Sequence, residues 1–252
     1  LKNWSKILKR AGFILLLGTI FLLFAPFFFV THGREPSSST TARVEMSAIV
    51  QAIEAYNNAY GHMPVSPTVQ RGTNSGDFTF GSIIGAPTSP MPLGTMVGGK
   101  VVANAEVIAI LMDLTNYPGN PGRPTINANH CLNPQQTIFL NPRMVSDNIS
   151  PGVGPDLVYR DPWGMPYFIT LDLNGDERCK DAFYSKRVIS QINGSGASGY
   201  NGLSNSVDAG GNGNHFQYQG RVMVWSAGSD RKINVNLPAN QGENRDNVVS
   251  WQ

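Results

Sequence analysis

The sequence predicts an α+β protein: a transmembrane helix, then a long amphipathic helix packed on a small antiparallel sheet, with long loops between. Three observations predict it. The run "AGFILLLGTIFLLFAPFFFV" at 11–30 carries no charge. The stretch "TARVEMSAIVQAIEAYNNAY" at 41–60 repeats apolar residues at helical spacing. Beyond residue 137, short aromatic and β-branched runs are bounded by turn residues, the pattern of antiparallel strands.

The apolar run comes first. At ~1.5 Å per residue, a helix of that length covers the ~30 Å core of a bilayer. Lys2, Lys6, Lys9 and Arg10 precede it, with no acid among those residues. Cationic flanks stay cytoplasmic, so the rest of the chain emerges on the outer side. A cleaved signal would show a shorter apolar region and a small-x-small site, and "FFFVTHGREP" offers none. The expectation is a single-pass protein of a bacterial inner membrane, its N-terminus cytoplasmic and its globular part periplasmic. Residues 1–31 then form the basic N-terminus and membrane helix. Residues 32–41 form a stalk, where Pro36 and three serines break the helix. Residues 42–252 form the globular domain.

Within that domain, Ala42, Met46, Ile49, Ile53, Tyr56 and Tyr60 form one stripe, with Thr41 as cap, Gly61 as terminator and Pro64 barring continuation. The stripe is expected against the sheet that contains "DPWGMPY", with Trp163 and Tyr167 near the helix's C-terminal half. Residues 65–102 read as loop. A second helix is expected over 103–116, with Val107, Ile110, Leu111 and Leu114 on one side. Strands are expected in "TIFLNP", "DLVYRDPWGMPYFITLDLNGD" and "GRVMVWSAGSD", and a polar surface excursion over 191–220.

Charge and composition narrow the function. Lys and Arg number 19 against 17 Asp and Glu, and four of the cations sit at the extreme N-terminus, so no basic stripe exists for a nucleic acid. With 27 glycines and 17 prolines the chain is rich in turns. Cys131 and Cys179 could pair in an oxidising compartment, or be two small buried apolar residues. His32, His62, His130 and His215 are scattered, with no metalloprotease, nucleophile-elbow or phosphate-loop motif, so an enzyme is not expected.

Two stretches offer oxygen ligands to a hard cation. "DLNGDERCKD" places Asp172, Asn174 and Asp176 at alternate positions, but Glu177 stands where an EF-hand loop has glycine and Phe183 where it has glutamate. Its alternative is an Asn-Gly turn between strands. The C-terminal "SAGSDRKINVNLPANQGENRDNVVSW" supplies Ser226, Asp230, Asn234, Glu243, Asp246 and Asn247. Calcium would order this apolar-poor loop, and Asx turns are the alternative.

In order, the basic head with Gly12-Phe13 opening an apolar helix, "AIVQAIEAYNNAYGHMP", "DPWGMPY", "VMVWSAGSD" and "DNVVSW" resemble the major pseudopilin family of type II secretion. The likeness covers the first 64 residues and the last 100 or so, leaving about 65–155 as an insertion. It implies a precursor cut between Gly12 and Phe13 by a prepilin peptidase, then lateral packing with other pseudopilin subunits in the membrane lipid, including copies of itself. The family carries glutamate at the fifth mature position, where this chain has Leu17. Ser226 and Asp230 match the family's calcium loop. The family's acids four and six before the last Trp correspond to Asn247 and Arg245, with Asp246 between. Two other readings stand beside it: an accessory subunit of another membrane complex that does not polymerise, and an anchored glycan-binding or hydrolytic domain with its site in the insertion.

Overall fold

The computed structural model describes residues 37–72, 76–81, 96–97, 100–192, 197–205 and 213–252. The expected membrane helix, residues 32–36 of the expected stalk and the Gly12–Phe13 bond lie outside them. Among the described residues no helix is long and apolar enough to cross a membrane.

The first helix, α1 (Ser38–Tyr60), begins earlier than the sequence suggested. Ser37 rather than Thr41 is the cap, its hydroxyl accepting the Thr40 N–H at 3.3 Å, so residues 38–41 are helix and not stalk. Gly61 ends it in the left-handed conformation (φ 74°), its N–H returning to the Asn57 carbonyl at 2.7 Å. The predicted stripe is the buried one: Ala42, Met46, Ile49, Ile53 and Tyr56 are inaccessible, joined by Ala52.

That stripe lies on a four-stranded antiparallel sheet. Its strands in chain order are β1 (Asp77–Phe80), β2 (Phe168–Asp172), β5 (Val222–Ser226) and β6 (Val248–Val249), and they pair in that order. Between them in sequence come a short helix α2 (Ala105–Leu111) and two strands of a second sheet, β3 (Arg178–Cys179) and β4 (Phe216–Gln219). The central strands bury both faces by simple alternation. Ile169, Leu171, Val222 and Val224 face α1 and α2, whereas Phe168, Met223 and Trp225 face a second cluster with Phe183, Tyr184, Ile189 and Phe216. There the Phe168 and Trp225 rings stack at 4.0 Å. The protein is thus α+β, with α1 and α2 on one face of the main sheet, and loops, a one-turn helix (Arg187–Ser190) and a small sheet on the other.

Several expectations are corrected. Residues 65–102 are not simply loop: β1 is an edge strand of the main sheet, with Phe78 and Phe80 fully buried. The second helix ends at Leu111 instead of 116, because Asp113 turns to φ 55° and Leu114 N–H closes on the Ala109 carbonyl. "TIFLNP" is not a strand; Phe139 and Leu140 donate their N–H groups to the Leu111 carbonyl. The 191–220 excursion is anchored in its described parts by buried Leu203 and Phe216, and β4 pairs with β3. No disulfide forms, since Cys179 is buried and Cys131 exposed, both with free thiols. Cys179 is the small buried apolar residue; Cys131 is neither alternative.

Ile53 has no solvent exposure. Ile53→Ala should therefore cost about 2–5 kcal/mol of folding free energy, read from urea denaturation. A loss near zero would mean that α1 does not pack on the sheet as described.

Candidate functional site

The "DPWGMP" turn is built around one carboxylate. Asp161 Oδ1 accepts the N–H groups of Trp163 and Met165, both at 2.9 Å, and Oδ2 accepts the Ser226 hydroxyl at 2.5 Å. Ser226 Oγ in turn accepts Gly228 N–H at 3.0 Å. Both side chains are wholly buried, so this pair ties the turn to the "SAGSD" loop after β5. Burial pushes the Asp161 carboxyl up, and the Ser226 hydroxyl and the turn's N–H groups oppose it. Tyr167, close by, donates to Glu45 Oε2 at 2.5 Å. Tyr167 therefore sits at the N-terminal half of α1, opposite to the expectation. Burial also raises the Glu45 carboxyl.

The candidate calcium residues are brought together only in part. Asp246 Oδ2 accepts the Ser229 hydroxyl at 2.7 Å and Asp230 N–H at 2.9 Å, closing the loop between β5 and β6. Gly228 (φ 73°) makes this approach possible: a Cβ there would lie 2.2 Å from the Asp246 carbonyl oxygen. Burial raises the Asp230 carboxyl, and the charges of Asp246 and Glu243 add to the rise. The Lys232 N–H and its ammonium charge oppose that rise.

The remaining candidates turn elsewhere. Ser226 is engaged with Asp161. Asn247 Nδ2 donates to the Tyr184 hydroxyl at 3.1 Å, and its Oδ1 is buried without a partner. Asp230 Oδ1 accepts Lys232 N–H and Asn234 Oδ1 accepts Asn236 N–H, two Asx turns of the alternative kind. Among the described residues no three of Asp, Glu, His and Cys are grouped as an ion cage. The side chain that does most to fill the loop is Asn244, fully buried and donating to the carbonyls of Asn234 and Leu237. Nothing in its sequence context set it apart from the other asparagines of the loop.

In the second candidate, Asp172 accepts Gly175 N–H at 2.7 Å and Glu177 N–H at 2.9 Å. Asn174 accepts Asp176 N–H, and Asp176 accepts Arg178 N–H. These are the hydrogen bonds of a polar turn between β2 and β3. Directly across the sheet from Asp172 stands Asp77. One Asp77 oxygen accepts Lys180 N–H at 2.6 Å and the other is buried without a partner.

The histidines remain apart. His130 meets Asp113 at 2.8 Å, His62 faces the Met63 carbonyl, His215 lies 3.4 Å from Lys180 Nζ, and His32 is outside the described residues. A cleft of about 840 Å³ opens between the end of α1 and the 172–175 turn; His62, Asn57, Gln70, Asn174 and Arg221 line it. Sequence reasoning missed two buried polar hubs. Asn104 donates to the carbonyls of Tyr159 and Tyr167 and accepts Tyr159 N–H, while Asp181 joins the two sheets. A single polar residue in a loop carries no periodic signal that would find it.

Compared with models of protein families, with curated proteins and with solved structures, the chain has no match.

Asp77 gives the site a pH dependence. Burial, followed by the charges of Asp172 and Asp176, pushes its carboxyl from an ordinary 3.8 up to about 7, against the pull of the Lys180 N–H. The folded state holds this proton more tightly than the unfolded chain does. The group's stabilisation is present in full below the ordinary value and is lost as pH rises through about 7. Melting curves at about pH 5 and about pH 8 should differ more for the natural protein than for Asp77→Asn. Equal differences would show that Asp77 is ionised throughout.

Proposed function

We propose that this chain is a pseudopilin-like structural protein of a bacterial envelope, held in the inner membrane by the apolar run at 11–30 with its folded domain outside. The observation that carries the reading is the mounting of α1. Its apolar stripe is buried in the core it forms with the sheet and α2, and its N-terminal end at Ser37 is the point where the chain continues toward the apolar run. The buried Asp161–Ser226 link adds support, because it joins two of the segments on which the family likeness rests. Leu17 in place of a glutamate favours a subunit that assembles with other membrane proteins without forming long filaments of its own.

The test is where the mature protein starts and where it resides. Fractionation should find the chain in the inner membrane, with the domain open to protease added from outside. Mass spectrometry should find residues 1–12 either present or removed as a unit. A mature start beyond residue 30 would free the domain from the membrane and end this reading.

Calcium belongs to the same proposal. Asp230 and Asp246, with Glu243 near, are the like charges a divalent cation would relieve. An ion that binds only the folded form stabilises it by about 2.7 kcal/mol when free ion is a hundredfold above its dissociation constant. Chelator should lower the melting temperature, and Asp230→Ala should remove that sensitivity while α1 stays helical. Superimposable curves with calcium and with chelator would leave the loop to its Asx turns.

A further inference from the structure

A cleft of about 430 Å³ runs between α1 and the 139–142 segment. Val44 and Ala48 belong to its helical wall, Phe139 and Pro142 to the opposite one, and Tyr159 also lines it. The second wall is fixed in place, because Phe139 and Leu140 donate their N–H groups to the Leu111 carbonyl at 2.9 and 3.1 Å. The helical wall faces solvent: Val44, though apolar, is 65% exposed. Among the described residues Glu45 is the only charged one that lines the cleft.

Glu45 is a half-buried carboxylate without a counter-charge. The Tyr167 hydroxyl donates to its Oε2 at 2.5 Å. Burial raises the carboxyl and that hydroxyl opposes the rise; the charge of Asp161 adds to it and the Tyr159 side chain opposes it. No cation is among those groups. The ion pairs of the described residues lie elsewhere, joining His130 to Asp113, Arg160 to Asp156 and Arg221 to Glu177. Arg43 and Arg143 adjoin lining residues in sequence but do not line the cleft. An ionised carboxylate accepts about four hydrogen bonds, so two tyrosines leave capacity at Glu45.

The occupant follows from charge and shape. Apolar walls that lead to a lone, partly desolvated carboxylate complement an aliphatic chain that ends in a cation. With Oε2 already holding a hydroxyl, Glu45 is less open to the planar two-bond grip of a guanidinium than to a compact ammonium. The cleft is also larger than one such side chain, which leaves room for the residues flanking it. We propose that this cleft receives a lysine side chain of another protein, its methylene stem along Val44, Ala48 and Pro142 and its ammonium at Glu45. Every residue involved belongs to the folded domain, so the cleft is the same whether or not the chain is anchored.

The full chain in nonionic detergent is titrated in a calorimeter with the blocked peptide acetyl-Ala-Ala-Lys-Ala-Ala-amide, with the same peptide carrying Nε-acetyllysine, and with n-butylammonium. The lysine peptide should bind at least about tenfold more tightly than its acetylated form, the worth of one hydrogen bond between charged groups. Glu45→Gln should bring the two peptides to equal affinity. Ala48→Phe, at an exposed position, should fill the cleft and abolish binding of both while Glu45 remains. Melting curves check that each variant is folded, and if Glu45→Gln is not, Ala48→Phe decides. Equal affinities for the natural protein, no binding at millimolar peptide, or lysine-peptide binding that survives Ala48→Phe each overturn the proposal. Butylammonium binding as tight as the peptide's would make the occupant a free amine and overturn the protein partner. Self-association of the chain that Glu45→Gln abolishes would make the occupant a second copy, and would overturn it too.

Discussion

A carboxylate with no access to solvent stands between the two sheets and fixes how they meet. Asp181 accepts the N–H groups of Phe183 and Tyr184, each at 2.8 Å, on one oxygen, and on the other the Thr170 hydroxyl at 2.5 Å and Trp225 Nε1 at 3.1 Å. None of the four donors is charged, so the cost of desolvating the carboxylate is offset by hydrogen bonds alone. Thr170 lies on β2 and Trp225 on β5, the two central strands, whereas Phe183 and Tyr184 belong to the segment that leads away from β3. Thr170 also pairs with Thr79 on β1, whose hydroxyl accepts Ala182 N–H at 3.0 Å. Three strands of the main sheet and the segment covering its far face are held at one point.

The rest of the architecture follows from that clamp and from alternation along β2 and β5. With both faces of the central strands buried, the side chains divide cleanly: aliphatic residues meet the helices, and large aromatic residues meet the second layer. Trp225 belongs to both arguments, since its ring stacks on Phe168 and its nitrogen satisfies Asp181. A shift of one residue in the β2–β5 register would carry every one of these side chains to the wrong face. The polar clamp and the apolar pattern thus specify the same pairing, which is why a sheet with only two full-length central strands suffices.

The helix was legible in the sequence because its signal is periodic over six turns; the stripe from Ala42 to Tyr56 is the buried face. The strands around "VMVWS" and "YFITLD" were legible because β-branched and aromatic residues cluster between turn residues. β1 was not, because "DFTF" is short and embedded in a Gly-, Ser- and Pro-rich stretch, and its strand character comes from pairing with β2 ninety or so residues away. β6 was missed for the same reason: two valines become a strand only beside Trp225 and Ser226. At the site, the segments "DPWG" and "SAGSD" were both singled out. Their joining through Asp161 and Ser226 was not, since nothing local tells a buried serine which carboxylate it meets.

The loop between β5 and β6 shows how an apolar-poor segment is ordered. Ile233, Ala239, Val248 and Val249 are buried, too few side chains to fix so many residues. Asn244 supplies what is lacking, its amide reaching carbonyls on the opposite limb of the loop while its oxygen accepts Asn234 N–H at 2.8 Å. Asp246 does the same for the limb that follows β5. These amide and carboxylate contacts replace the strand ladder that the sequence there cannot form. They leave Asp230 beside Asp246, with the Lys232 charge acting against the crowding of the two carboxyls. The same hydrogen bonds that close the loop therefore bring these two carboxyls together, and the loop is ordered by them without a ladder of its own.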